Sequence, residues 1–313
     1  MVPKKSCTIA EESAIIINRL LDAFRDEFKR VGSEWTADSI HDLRVSCRRL
    51  RSALLLFSPY YDSNVYLRYR KSLKVFMNRL STLRDIDVQL EMLGEMDKPK
   101  AEYLLQKWHD LIRFLTEKKQ KLDRDLQKYI KRRSAILSFN LPAPVKGCDM
   151  SSADAFPLLF DKKVMETKSL ISEVNWEKPF SSQEALHSVR IAFKKLRYTL
   201  EIFKSLSHSK ADKIIENLKH TQDLLGWIHD CDVMYAEVRK LVKRHYKFIK
   251  TQYFNKLDSV IWQTTEKSSN KSTSSDFTDI VLYLSRRIAE KRRKHFNQAK
   301  KTLNKFHTSQ VSI

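Results

Sequence analysis

Two stretches of this chain carry cationic side chains at the same spacing, 146 residues apart. His41, Arg44, Arg48, Arg49 and Arg51 lie in HDLRVSCRRLRSALLLF, and His187, Arg190, Lys194, Lys195 and Arg197 lie in HSVRIAFKKLRYTLEIF. The chemistry on offer is recognition of oxyanions. Arginine supplies a planar fork of donors matched to phosphate oxygens, lysine a mobile point charge, and histidine a donor that titrates near neutrality. On a helix the span from His41 to Arg51 is roughly 15 Å, with a cation nearly every turn. A row of that length suits a linear polyanion better than one small phosphate ester. An acid–base role for His41 and His187 is less well supported, because neither has a nucleophile or a carboxylate partner at a diagnostic spacing.

The elements that must hold these rows are helices with one buried face. Leu43, Cys47, Leu50, Leu54 and Phe57 recur as Val189, Phe193, Leu196, Leu200 and Phe203. At about 100° per residue each set falls within a stripe of roughly 80°, and the cations at offsets 0, 3, 7 and 10 lie opposite. A solvated face is the ordinary explanation of one such helix. Repetition of the cation spacing favours a symmetric site, although common ancestry of the halves would also leave that pattern.

The repeat continues beyond these helices. SLKVFMNRLSTLRDIDV (72–88) aligns without gaps to NLKHTQDLLGWIHDCDV (217–233), matching Lys74 to Lys219, Asp85 to Asp230 and Asp87 to Asp232. Leu111, Leu115, Glu117, Lys118 and Lys119 then match Leu284, Ile288, Glu290, Lys291 and Arg292 at an offset of 173. The longer offset places an insertion in the second half, naturally at TTEKSSNKSTSSD (264–276), which has the composition of a mobile loop. Lys118 shares a face with Leu111, Leu115 and Leu122, and Lys291 with Leu284 and Ile288. Each lysine either snorkels to water or adds to an internal cationic channel.

Composition sets the class. The 313 residues include only four glycines and seven prolines, and long stretches show helical periodicity. The expectation is an all-α protein. Breakers predict helices over 10–31, 38–57, 63–94 and 99–135, then 154–174, 182–206, 209–265 with an internal break, and 277–306. The organisation expected is a first four-helix repeat (1–137), a Pro- and Gly-containing linker (138–153) and a second repeat (154–307). A net charge of +21 implies a polyanionic partner such as nucleic acid, an anionic membrane surface or a phosphate polymer. Cys7, Cys47, Cys148 and Cys231 show no paired spacing, and Cys47 and Cys231 sit on apolar stripes, which suits a reducing compartment. No run resembles a secretion signal or a membrane span.

Several chemistries lack their motifs. There is no phosphate loop, no HExxH, no EF-hand loop and no nucleophile elbow. Asp85/Asp87 and Asp230/Asp232 are the best metal candidates, but residues two apart do not share a helical face and the surrounding charge repels a cation. These aspartates are expected to pair with neighbouring arginine or lysine. No metal and no cofactor is expected.

The H-x-x-R-x-x-x-R-R-x-R helix from His41, the LRDIDV segment at 83–88 and the H-x-x-R-x-x-x-K-K-L-R-Y helix from His187 resemble the conserved-histidine α-helical domain family, CHAD, over roughly residues 8–307. The resemblance implies two four-helix bundles related by a pseudo-two-fold around a basic central cavity that binds inorganic polyphosphate. It assigns phosphate contact to His41, Arg44, Arg48, Arg49, Arg51, His187, Arg190, Lys194, Lys195 and Arg197. Lys74, Lys219, Lys118, Lys291 and Tyr198 form a secondary set. The ExExK signature of the triphosphate-tunnel domain often fused to this family is missing, and His229 stands where the first half has Arg84. The expected function is non-catalytic polyphosphate binding, in the cytoplasm and at polyphosphate granules, or in the nucleus or nucleolus of a eukaryote. Nucleic-acid binding and polyphosphate processing are the alternatives.

Overall fold

The computed structural model describes residues 7–61, 63–145, 150–177, 181–204, 211–245 and 276–309. Eight α-helices run through them: α1 (Ile9–Ser33), α2 (Ala37–Leu56), α3 (Asn64–Glu95), α4 (Glu102–Lys131), α5 (Ser152–Ser172), α6 (Gln183–Ile202), α7 (Ala211–His245) and α8 (Asp276–Thr308). No strand occurs among the described residues. The boundaries lie close to those expected from the breakers, because local chemistry sets them. Thr8 and Glu11 form a reciprocal capping box at α1, Thr36 and Ser39 another at α2, and Ser151 accepts from the Asp154 amide at α5. The stretch 246–275, with nearly all of the expected Ser-rich insertion and the end of the expected 209–265 helix, lies outside the described residues, as does Cys148.

Consecutive helices pack on one another within each half, and every helix also touches its sequence counterpart: α1 with α5, α2 with α6, α3 with α7, and α4 with α8. The repeated phenylalanines Phe57 and Phe203 meet edge to face with centroids 5.7 Å apart. At the start of each half the Ile9 amide donates to Met150 O and the Ser152 amide to Cys7 O, both at 3.0 Å, an exchange between two helix starts. The stretch expected as a linker is fastened to the first half. Arg25 donates to Leu137 O and Phe139 O, Phe139 stacks on Tyr69, and the Val145 amide donates to Tyr60 O.

Two apolar clusters hold the helices. The larger draws on all eight helices, with Phe24, Phe57, Phe76, Phe160, Phe193 and Phe203 fully buried. The smaller gathers Ile86, Met92 and Trp108 of the first half with Cys231, Met234, Leu284 and Ile288 of the second. Each cluster therefore takes residues from both halves. Cys47 and Cys231 serve as small buried apolar groups, and burial pushes both thiols up to about 12. Among the described residues no helix is long and apolar enough to cross a membrane.

Candidate anion-binding cavity

The apolar stripes of α2 and α6 face the shared core, which turns the opposite, cationic faces toward a cavity of about 830 Å³ walled by α2, α3, α6 and α7. Arg44, Arg48 and Arg51 of α2 line it, with Arg190, Lys194 and Lys195 of α6. From α3 come Arg84 and Asp85, and from α7 their counterparts His229 and Asp230. Tyr198 also lines the wall. Its hydroxyl lies 3.3 Å from Arg48 Nη1, a hydrogen bond that links the two halves.

The remaining expected residues lie elsewhere. His41 and Arg49 are exposed and outside the cavity wall, as are Lys74 and Lys219. His187 packs its ring against His229, centroids 4.8 Å apart. Arg197 lies over the Tyr198 ring at 4.9 Å and has Nε 3.4 Å from Glu201 Oε1, so its guanidinium is engaged next to the wall instead of in it. Lys118 is exposed. Its neighbour Lys119 turns inward and pairs with Asp87 at 2.7 Å, which leaves Lys118 in water. Lys291 pairs with Glu95 and sits 4.3 Å over Trp227, itself a wall residue stacked on His295.

The outer aspartates of both LRDIDV-type segments are held as expected, by partners that match one another in the repeat. Asp87 takes Lys119, and Asp232 takes Arg292 in a forked contact, Nε to Oδ1 at 2.6 Å and Nη2 to Oδ2 at 3.3 Å. Gln183 Nε2 donates to the same carboxylate at 3.2 Å. Among the described residues no group of three histidine, cysteine, aspartate or glutamate side chains is placed to hold a metal ion.

The cavity is crowded with like charge and partly shut off from water, and its ionisable groups respond. Burial, then repulsion from Arg48 and Arg84, lowers Arg44 to about 10. Burial, then repulsion from Arg190 and Arg48, lowers Lys194 to about 7. His229 falls to about 4 for the same kinds of reason, and His187 is also lowered. Desolvation raises Asp85 and Asp230 despite the arginines nearby. Burial thus outweighs attraction for these carboxyl groups. Arg190 Nε is buried and finds no hydrogen-bond partner within the protein among the described residues. Together these groups can bind a multiply charged oxyanion, which would relieve repulsion among cations already held in place.

Arg84, Gln222 and Trp227 escaped the sequence reading as wall residues. A signal existed for Arg84. It precedes Asp85 in the motif and occupies the register position of His229, which also faces the cavity.

Residues 15–239 match the family model of the CHAD domain. The chain belongs to the CHAD family. Among solved structures it is similar to the CHAD domain from the plant Ricinus communis, with a TM-score of 0.64 and 18% identity, covering 100% of this chain and 96% of that one. It is also similar to PptA from Streptomyces chartreusis, with a TM-score of 0.64 and 12% identity, covering 94% of this chain and 99% of the other. At these identities the likeness concerns the fold. No curated protein sequence matches.

Proposed function

We propose that this protein binds inorganic polyphosphate in the cavity between its halves and does so without catalysis. One observation carries the reading: cations from both copies of the repeated helix converge on a single cavity, where Arg44, Arg48 and Arg51 meet Arg190, Lys194 and Lys195. A phosphate chain carries charge along its whole length and has no bases, so its site needs forks and point charges but no stacking platform. Trp227, the indole in the wall, supports this. Lys291 lies over its ring and His295 is stacked against it. Retention on phosphate-rich granules would follow from the same affinity, and a tagged protein that stays diffuse in granule-containing cells would count against that role.

The net charge of +21 and the exposed cations outside the wall favour a second reading, generic nucleic-acid binding. Competition at near-physiological salt among long-chain polyphosphate, single-stranded RNA, duplex DNA and orthophosphate decides between them. Polyphosphate should win. Arg48→Glu with Lys194→Glu should lower its affinity at least a hundredfold, roughly two lost charge-assisted contacts. The exposed pair Lys301→Glu and Lys305→Glu should change it severalfold at most. Equal losses from the two double variants, or RNA competing equally, would overturn the polyphosphate reading.

A further inference from the structure

The two halves present different cations to the same cavity. On α2 the cations of the wall are all arginine, α3 adds Arg84, and α6 keeps only Arg190. On α6 the counterparts of Arg48 and Arg49 are Lys194 and Lys195, and on α7 the counterpart of Arg84 is His229, whose ring packs at a tilt against His187. Arginine keeps its charge at every biological pH, whereas lysine and histidine change charge when their surroundings disfavour the cation. One wall of the cavity is therefore fixed in charge and the other adjustable.

We propose that Lys194 is the proton-accepting member of this site: it takes up a proton when a phosphate polymer occupies the cavity and releases it when the polymer leaves. The inference rests on the polyphosphate reading and specifies how that site is regulated. Lys194 is half-buried, and no ion pair holds it among the described residues. Its surroundings are mostly cationic. Arg190 and Arg197 stand on its own helix, Arg48 faces it from α2, and α7 contributes His229 and the carboxylate that acts most on it, Asp230, while Asp85, Glu91 and Asp223 lie elsewhere in the same wall. That carboxylate is shared with Arg190 and with Arg84 of α3, and Asp85 of α3 also lies close to it. α5 packs on α6 too, but its Lys163 faces Lys195. Burial and these neighbours bring Lys194 down to about 7, so above neutrality it is largely uncharged in the free protein.

The sign follows from linkage. An anion beside Lys194 stabilises the ammonium and moves its titration back toward the ordinary lysine range. Between about pH 7 and that range binding draws in a proton, and affinity falls as pH rises, by at most about tenfold per pH unit for one proton. Below about pH 7 Lys194 is already charged and contributes no slope.

Calorimetry with long-chain polyphosphate, across about pH 6.5 to 9 and in two buffers of different ionisation enthalpy, reads both affinity and proton uptake. The wild-type protein should bind several tens-fold more weakly at the alkaline end and take up close to one proton there. Lys194→Arg should bind at the alkaline end more tightly than wild type, with little slope and little proton uptake. Lys301→Arg on the exposed end of α8 should keep the wild-type slope. Polyphosphate binding without proton uptake, or an unchanged slope in Lys194→Arg, would overturn the proton-accepting role and leave the polyphosphate reading standing. A folded wild-type protein that binds no polyphosphate at any pH would overturn the reading itself.

Discussion

The ion pairs Asp87–Lys119 and Asp232–Arg292 occupy matching positions in the repeat yet sit in different surroundings. In the first half the lysine side chain is 41% exposed and the aspartate 31%, and one nitrogen meets one oxygen. In the second half the arginine is 3% exposed and the aspartate 16%, and two guanidinium nitrogens meet the carboxylate, with Gln183 as a further donor. The first pair competes with water, so its net contribution is small. The second has already lost most of its water, so removing either member takes the ionic partner from a buried charge. The same register position thus sustains a surface contact in one half and a buried one in the other. Duplicated sequence preserves the partners while packing decides their energetic importance.

The contrast can be broken most severely in the second half. Asp232→Ala, which takes the carboxylate away from buried Arg292, should cost about 3–5 kcal/mol of unfolding free energy in denaturant titration. A loss near that of a surface pair would mean that water reaches Arg292 and that the halves do not differ. Arg292→Lys keeps the charge but loses one branch of the fork. It should cost about 1.5–3 kcal/mol, the value of a charge-assisted hydrogen bond.

Acidification extends the comparison to the cavity. His229 titrates at about 4 in the folded chain because burial and nearby cations disfavour its charged form. Its ordinary value is 6.5, so folding binds fewer protons than the unfolded chain between the two values. This contribution to stability is present above that window and lost as pH falls through it. The Tm of the unliganded protein should therefore drop from about pH 6.5 toward about pH 4, and the drop should be shallower in His229→Gln. The matching position in the first half holds an arginine, Arg84. Equal slopes in wild type and variant would remove His229 as the cause. The smallest effect is expected from Asp87→Ala, at about 0–1 kcal/mol in the same denaturant titration.

Much of this was legible in the chain because helix periodicity and repeat register are local. Leu43, Cys47, Leu50 and Leu54 define a core face, and all are fully buried. The pairing of Asp87 and Asp232 with cations followed from their place in a strongly basic chain, and the weaker third block of the repeat, matching Lys119 to Arg292, already contained both partners. The rotation of one helix against another was harder to see. Lys118 and Lys119 are adjacent on α4, and a stripe drawn through Leu111, Leu115 and Leu122 favours the first as the inward residue, whereas packing against α3 selects the second. The ends of the cationic rows illustrate the same limit. His41 belongs to the repeat as clearly as Arg44, but the cavity wall extends only as far as α3 and α7 close over α2 and α6, and Arg49 sits between the wall residues Arg48 and Arg51 but about 100° around the helix from Arg48. Arg84 and His229 were visible as an unequal pair, and only the folded arrangement shows that both face the cavity.

The sharing of apolar clusters between halves has a kinetic consequence. Drawing α2 away from α6 would separate Phe57 from Phe203, which packs on Phe156 in its own half, and the smaller cluster would resist from its own side. Hinged gaping is therefore an expensive route of admission. On the polyphosphate reading, a long chain would enter without the halves parting, and capture should slow with ligand length. Such a site would discriminate among polymers by arrival time as well as by final affinity.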